Sequence, residues 1–215
     1  MQYNPTVFRD RIDAGDRLGQ RLLELELQNP VVLAVPAGGV PVAKEVARIL
    51  RAPLDVIIAR KIQFPWTTEA GFGAVVADGT VYLGPYAKRL PKAVVEAQTR
   101  QAQREVKHRK KEFLRGSKQV ELCGKVVILV DDGLATGSTM LAAVQSVKKK
   151  GPKRIIVAVP TASGTAVKLI ELHVDQLIAL YVHPGGMPFA VASSYQNWYD
   201  LTDEQVKAYL EASSE

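Results

Sequence analysis

The chain has 215 residues, 47% of them hydrophobic and 23% charged, a balance that fits one globular α/β domain with at most a small appendage. A single cysteine, Cys123, excludes an intrachain disulfide framework and favours a reducing, cytoplasmic setting. The formal charge of +6 admits a polyanionic partner, and no apolar run approaches the roughly 20 residues that span a bilayer.

The opening MQYNPTVFRDRIDAGDRLG carries charge where a signal peptide needs an apolar centre, so no targeting segment is expected there. Apolar positions at helical spacing predict a helix over about Val7 to Leu27, stopped by Asn29-Pro30. Val31 to Val35 reads as a buried strand, closed by Pro36 and Gly38-Gly39, and a helix follows over about Pro41 to Leu50. Leu54 to Ala59 reads as a second buried strand that ends at Arg60 and Lys61. The stretch IQFPWTTEAGFG behind it has the composition of a mobile lid.

Val75 to Leu83 predicts a hairpin around Asp78-Gly79, and Pro91 to Arg115 one long helix charged nearly all round. Strands at Val126–Val130, Arg154–Val159 and Gln176–Val182 alternate with helices at Ser138–Lys150 and Gly164–Leu172. A Pro/Gly/aromatic tail leads to a last helix near Asp203–Leu210. This alternation predicts an α/β fold with an open, doubly wound, mostly parallel sheet. The expected organisation is a core over residues 1–182, with a flexible loop and the charged helix inserted at about 62–118, and a small C-terminal hood over 183–215.

Three loops leave strand ends with unusual chemistry, and the carboxyl ends of such strands are where open α/β sheets bind ligands. In GKVVILVDDGLATGSTM, Asp131 and Asp132 follow an apolar strand and precede a turn into a helix at Thr136-Gly137-Ser138-Thr139. The amides of that first helical turn lack intrahelical partners and suit a phosphate, helped by the hydroxyls of Thr136, Ser138 and Thr139. The acids would repel the phosphate but can accept hydrogen bonds from vicinal hydroxyls. A sugar phosphate satisfies both ends. Helix capping would explain one acid and not two, and a P-loop would need lysine where Ser138 stands. AVPAGGVPVA, Ala34 to Ala43, is either a second oxyanion nest or simply a tight strand-to-helix turn.

On the VVILVDDGLATGST stretch the chain resembles the type I phosphoribosyltransferases, whose signature is an apolar strand, two acids, three variable residues and Thr-Gly-x-Thr. Loop by loop it is most similar to the bacterial and archaeal group of predicted phosphoribosyltransferases. The resemblance implies transfer of ribose 5-phosphate from 5-phosphoribosyl-1-diphosphate (PRPP) to a nitrogenous acceptor, a nucleobase, with Mg²⁺ as cofactor and diphosphate released. It implies that Ala135, Thr136, Gly137, Ser138 and Thr139 hold the 5-phosphate. Asp131 and Asp132 would serve the ribose hydroxyls and, through water, the metal.

It further implies that Ala37, Gly38 and Gly39 serve the diphosphate in a loop that often contains a strained peptide bond, although many members carry a basic residue where this chain has Ala37. Arg60 and Lys61 would neutralise diphosphate oxygens, and Glu69 matches the glutamate that assists proton removal in adenine-type enzymes. Ala135 stands where the 6-oxopurine enzymes carry an aspartate over the base. In the hood, Phe189, Tyr195, Trp198 and Tyr199 could stack an acceptor, with packing the more usual fate of such rings. A homodimer is a further implication.

The alternative on the same fold is a non-catalytic PRPP-sensing regulator or a nucleic-acid-binding protein, supported by Ala37 and the basic stretch RQAQREVKHRKKEFLRGSK. That stretch has one aromatic, Phe113, and reads better as a solvated helix with i,i+4 pairs such as Glu105–Arg109, so nucleic acid is not expected as a partner. His108, His173 and His183 have no metal-ligand spacing.

Overall fold

The computed structural model describes residues 7–67, 70–113, 119–184 and 189–211. Its centre is a five-stranded parallel sheet of β1 (Pro30–Ala34), β2 (Leu54–Val56), β6 (Val126–Val130), β7 (Arg154–Ser163) and β8 (Gln176–His183), in the order β2-β1-β6-β7-β8. A second sheet is antiparallel: β3 (Ala59–Gln63), β4 (Gly71–Val76) and β5 (Val81–Leu83). The helices are α1 (Arg11–Leu23), α2 (Gly39–Leu50), α3 (Lys92–Phe113), α4 (Ser138–Lys148), α5 (Gly164–Glu171) and α6 (Asp203–Glu211).

The period-2 alternation of each strand splits the core in two. Val32, Ala34, Ile128 and Val130 face one way and pack with Leu18 and Leu22 of α1, Val46 of α2 and Val206 of α6. Val31, Leu33, Val127 and Leu129 face the other way and pack with Leu141 and Val144 of α4 and with Ala166 and Ile170 of α5. Strands buried on both faces have no room for polar residues, hence the unbroken runs PVVLA and VVILV. Among the described residues, no helix is long and apolar enough to cross a membrane.

The chain departs from the expected elements at several points, among them β7, which runs on past Val159 to Ser163. The apolar run Leu54–Ala59 is not one strand: β2 ends at Val56, and β3 starts at Ala59 in the other sheet, paired antiparallel to β4. Hydrophobicity marks such a run as buried and cannot tell which sheet will pair with it. The first helix begins only at Arg11, where the Asp10 side chain accepts from the Asp13 N–H at 2.8 Å. Ahead of it, Phe8 bridges to Tyr195, with the Phe8 N–H donating to the Ser194 carbonyl at 2.9 Å. On α3 the expected Glu105–Arg109 pair is not formed. Glu105 accepts from Arg60 at 2.7 Å, and Arg109 reaches Asp203 of α6 at 3.2 Å.

One contact ties both ends of the chain to the sheet. Arg11, on the apolar side of α1, donates from Nε to Asp132 Oδ2 at 2.9 Å and from Nη1 to the Tyr199 carbonyl at 2.8 Å. Its guanidinium lies 3.9 Å from the Trp198 ring centroid. The two side chains of the ion pair are only 7% and 13% exposed, so removing one partner strands the other's charge in a poorly solvated place. Arg11→Met should therefore cost about 3–5 kcal/mol of unfolding free energy. Adding Asp132→Asn should recover much of that loss. Urea denaturation of the two single variants and the double checks this, and strict additivity would count against the pairing.

Candidate functional site

The strand order reverses direction between β1 and β6. From β1 the chain runs outward to β2 and later returns to lay β6 on the other side of β1. Two loops leave the sheet side by side at this switch point, which is where a crevice forms in such folds. Their backbones touch: the Val35 N–H donates to the Val130 carbonyl at 2.9 Å. The Pro36–Ala37 peptide bond is cis. A Cβ on Gly38 would lie 1.8 Å from Asp132 Oδ2, so only glycine allows the first loop to approach the acid this closely.

Asp131 and Asp132 follow β6 directly. Asp131 Oδ1 accepts from the Asp132 N–H at 2.9 Å, and the Asp132 carbonyl accepts from the buried Tyr195 hydroxyl at 2.6 Å. Burial, and then the charge of Asp132, push the Asp131 carboxyl well above the ordinary aspartate range. Asp132 is also raised, chiefly by burial, with Arg11 opposing the shift. The Tyr195 phenol is pushed upward by burial and then by Asp132, so it stays a donor.

The next turn is anchored along its sides and open at its top. Leu134 exchanges backbone hydrogen bonds with the end of β7, donating to the Thr161 carbonyl at 2.9 Å and accepting from the Ser163 N–H at 2.8 Å. The Ser163 hydroxyl donates to the Ala135 carbonyl at 2.6 Å. Gly137, at φ +77°, supplies the left-handed turn into α4, and no side chain caps that helix. Thr136 and Ser138 lie over the helix start with their hydroxyls 3.3 Å apart. The Ser138 N–H makes a long contact to Thr136 Oγ1, 3.4 Å, and amides at such a helix start, behind a left-handed glycine, suit an anion.

A cleft of about 640 Å³ spans this region. One side is Asp131 through Met140, and the other carries Lys61 of β3 with Phe64, Ala70, Gly71 and Tyr86; Val191 adds a contact from the C-terminal segment. The structure thus brings together Asp131, Asp132, Ala135, Thr136, Gly137, Ser138, Thr139 and Lys61, and sets Gly38 and Gly39 against the acids. Ala37 packs on the core beside them. Arg60 is not brought in: it neighbours Lys61 on β3, projects to the opposite face, and pairs with Glu105 of α3. Trp198 is covered by Arg11, and Phe189 packs on His183 at 5.3 Å between centroids. Glu69 lies outside the described residues.

Sequence reasoning missed Arg11. Its signal was present, since Arg11, Ala14, Leu18 and Leu22 share one helical stripe that is otherwise apolar. A charge on such a stripe needs a buried partner. Among the described residues no three His, Cys, Asp or Glu side chains cluster to hold a metal. Two adjacent carboxylates do fit a Mg²⁺ that arrives with a phosphorylated ligand, because that ion keeps several waters and is commonly held by one or two carboxylates plus substrate oxygens.

Comparison with known proteins agrees with this geometry. A family model described as "Phosphoribosyl transferase domain" matches residues 9–189. A Mycobacterium tuberculosis protein with a provisional phosphoribosyl transferase name is 38% identical over 208 residues. That alignment takes in 95% of this chain and 46% of the relative, so the chain spans about half the length of the curated relatives it matches. Among solved structures, the TT1426 protein from Thermus thermophilus superposes with a TM-score of 0.79 at 40% identity, over 95% of this chain and 97% of that one. The AQ2163 protein from Aquifex aeolicus, at 15% identity and a TM-score of 0.50 over 80% and 74% of the two chains, shares the fold. The family match runs through both switch-point loops and the acid pair, and the chain belongs to the phosphoribosyl transferase domain family.

Proposed function

We propose that the chain is a phosphoribosyltransferase that moves ribose 5-phosphate from PRPP to a nucleobase and releases diphosphate. The observation that carries this reading is the acid pair at the switch point, set directly before an uncapped helix start behind Gly137. In the proposed complex the amides and hydroxyls of Thr136 to Thr139 hold the 5-phosphate, while Asp131 and Asp132 accept from the ribose hydroxyls. Gly38, Gly39 and Lys61 serve the diphosphate. Asp131 and Asp132 would hold Mg²⁺ through water, and the ion would supply neutralisation of the charge on the leaving diphosphate.

The reaction asks for positioning and charge more than for covalent chemistry. The C1–O bond to diphosphate breaks with its electron pair leaving on oxygen, a C1–N bond forms to the acceptor, and the acceptor's N–H proton is lost. Carboxylates close to the sugar favour the positive charge that grows at C1, and Lys61 favours the negative charge on the leaving group. Glu69 is the proposed proton acceptor. A PRPP-sensing regulator on the same fold is the second reading, favoured by the absence of a basic side chain at Ala37.

With Mg²⁺ and PRPP, the chain should release diphosphate when offered one of adenine, guanine, hypoxanthine, xanthine, uracil or orotate. PRPP binding without turnover across that panel would favour the regulator. Replacing Asp131 and Asp132 together with Asn should weaken PRPP on the order of 10²–10⁴-fold by calorimetry, since each charge-assisted contact contributes about 1.5–3 kcal/mol. Unchanged affinity would remove the acids from the site.

Native-state stability supplies a further check. Because Asp131 keeps its proton to higher pH in the folded chain than in the unfolded one, stability should fall as pH rises through its raised pKa. Asp131→Asn should therefore melt above the parent at pH 8. The gain should fade as the buffer is taken down towards pH 4. A lower melting temperature for the variant at pH 8 would contradict this.

A further inference from the structure

Tyr195 is one of the C-terminal rings expected to offer a stacking face, and the structure uses it differently. It is 5% exposed and packs against Phe8 at 5.6 Å and Trp198 at 5.4 Å between centroids, which leaves little surface for a ligand to stack on. The backbone around it is tied down as well. The Phe8 N–H donates to the Ser194 carbonyl at 2.9 Å, and the Gln196 N–H donates to the Phe8 carbonyl at 2.9 Å. The Ser194 and Thr161 hydroxyls share a buried hydrogen bond of 2.9 Å, which joins this segment to β7.

That restraint is delivered to a single polar atom. The Tyr195 hydroxyl donates to the Asp132 carbonyl at 2.6 Å, while Arg11 holds the Asp132 carboxylate at 2.9 Å. The acid is thus gripped at its main chain and at its side chain by groups from opposite ends of the sequence. The two grips restrain different motions. Arg11 limits rotation of the side chain, and Tyr195 limits rotation of the peptide plane between Asp132 and Gly133. In a trans peptide the C=O and N–H point opposite ways, so pinning this carbonyl directs the Gly133 N–H away from Tyr195. Gly133 lines the cleft, and its N–H has no partner among the described residues. A Cβ on Gly133 would lie 2.6 Å from Val191 Cγ1, so the C-terminal segment also packs directly on this peptide.

We infer that Tyr195 is a positioning residue for PRPP. Through the Asp132 carbonyl, its hydroxyl sets the peptide plane from which the acid pair and the phosphate-binding turn are presented. Tyr195 itself does not line the cleft and acts only through Asp132. This assignment rests on the cleft being a PRPP site and adds a residue behind it that governs affinity there.

Tyr195→Phe keeps the ring and deletes the donor. Ser194→Ala is the matched control, since it deletes a neighbouring buried hydroxyl contact and leaves the Asp132 carbonyl bond in place. Both variants should melt below the parent chain. Calorimetry with PRPP and Mg²⁺, run well below each melting temperature, should show roughly 10-fold weaker PRPP binding by Tyr195→Phe, the low end of what removing a group that orients a binding carboxylate costs. Ser194→Ala should stay within about twofold of the parent, as a site without a shared partner does. Tyr195→p-aminophenylalanine restores a donor at the ring's end and should recover most of the affinity. It also supplies the reading if Tyr195→Phe melts too low for calorimetry, because a folded amino variant that fails to bind PRPP would overturn the assignment. In steady state, kcat/KM for PRPP should fall in Tyr195→Phe while the acceptor KM holds within about twofold. Parent-like PRPP affinity in Tyr195→Phe would overturn the role of the hydroxyl, and so would equal weakening in Ser194→Ala or a loss confined to acceptor KM. Failure of the parent chain to bind PRPP would overturn the transferase reading itself, and that result shows before any substitution is made.

Discussion

A carboxylate almost enclosed by protein must give up its charge or be matched by a cation with good geometry. Asp132 is matched by Arg11, and much of the molecule's organisation follows from that pair. Arg11 opens α1, so the pairing fixes where the first helix meets the end of β6. The same guanidinium holds the Tyr199 carbonyl and covers Trp198, so the C-terminal segment is drawn to the same point. Tyr195 completes the enclosure by donating to the Asp132 carbonyl. Elements far apart in sequence thus converge on one side chain, next to the acid that lines the cleft.

Enclosure on that scale limits what the neighbouring loop can be. Asp132 occupies the space that a side chain at position 38 would need, so the first loop can lie against the acid only as bare backbone. Gly38 therefore serves the acid as much as any anion, and the paired glycines have a packing reason independent of ligand binding. The turn after the acids is built on the opposite principle. Its sides are pinned by β7 through Leu134 and Ala135, and above them the Ser138 N–H makes only a long contact to Thr136 Oγ1, 3.4 Å, with no side-chain cap from Gly137. Pinned sides with donors facing outward suit an anion, because reorganisation on binding then costs little.

Much of this was legible in the sequence. Continuous apolar strands, amphipathic helices between them and the Asp-Asp to Thr-Gly-Ser-Thr run placed the parallel sheet and its switch-point loops, because buried parallel strands and helix starts have local signatures. Lys61 does line the cleft, though not as the end of an apolar strand. It sits mid-strand in the antiparallel sheet, and simple alternation sends it to the cleft while Arg60 goes to Glu105. Which sheet a short apolar run joins is decided by tertiary pairing, and Leu54–Ala59 carries no local mark of the change. The partners of Arg11 and the fate of the C-terminal rings were hidden for the same reason. Those contacts join residues far apart in the chain, and a motif reports on its own neighbourhood.

The two aspartates are adjacent in sequence and unequal in environment. Asp132 has a cation on its carboxylate and a phenol on its carbonyl, so its orientation is over-determined. Asp131 has burial, the repulsion of its neighbour and one backbone donor, and its carboxyl is held the further above the usual range. A pair whose environments differ in this way divides the labour between its members. In the proposed reaction, Asp132 acts mainly by fixing the geometry of the loop, with Arg11 as its positioning partner. Asp131 is the acid with the most to gain from a ligand, because hydroxyl donors and a cation arriving with PRPP would satisfy oxygens that the protein alone leaves poorly matched. In that proposal substrate binding and ionisation of Asp131 would support one another, and the energetic cost of holding that group in the cleft would be recovered as affinity for PRPP.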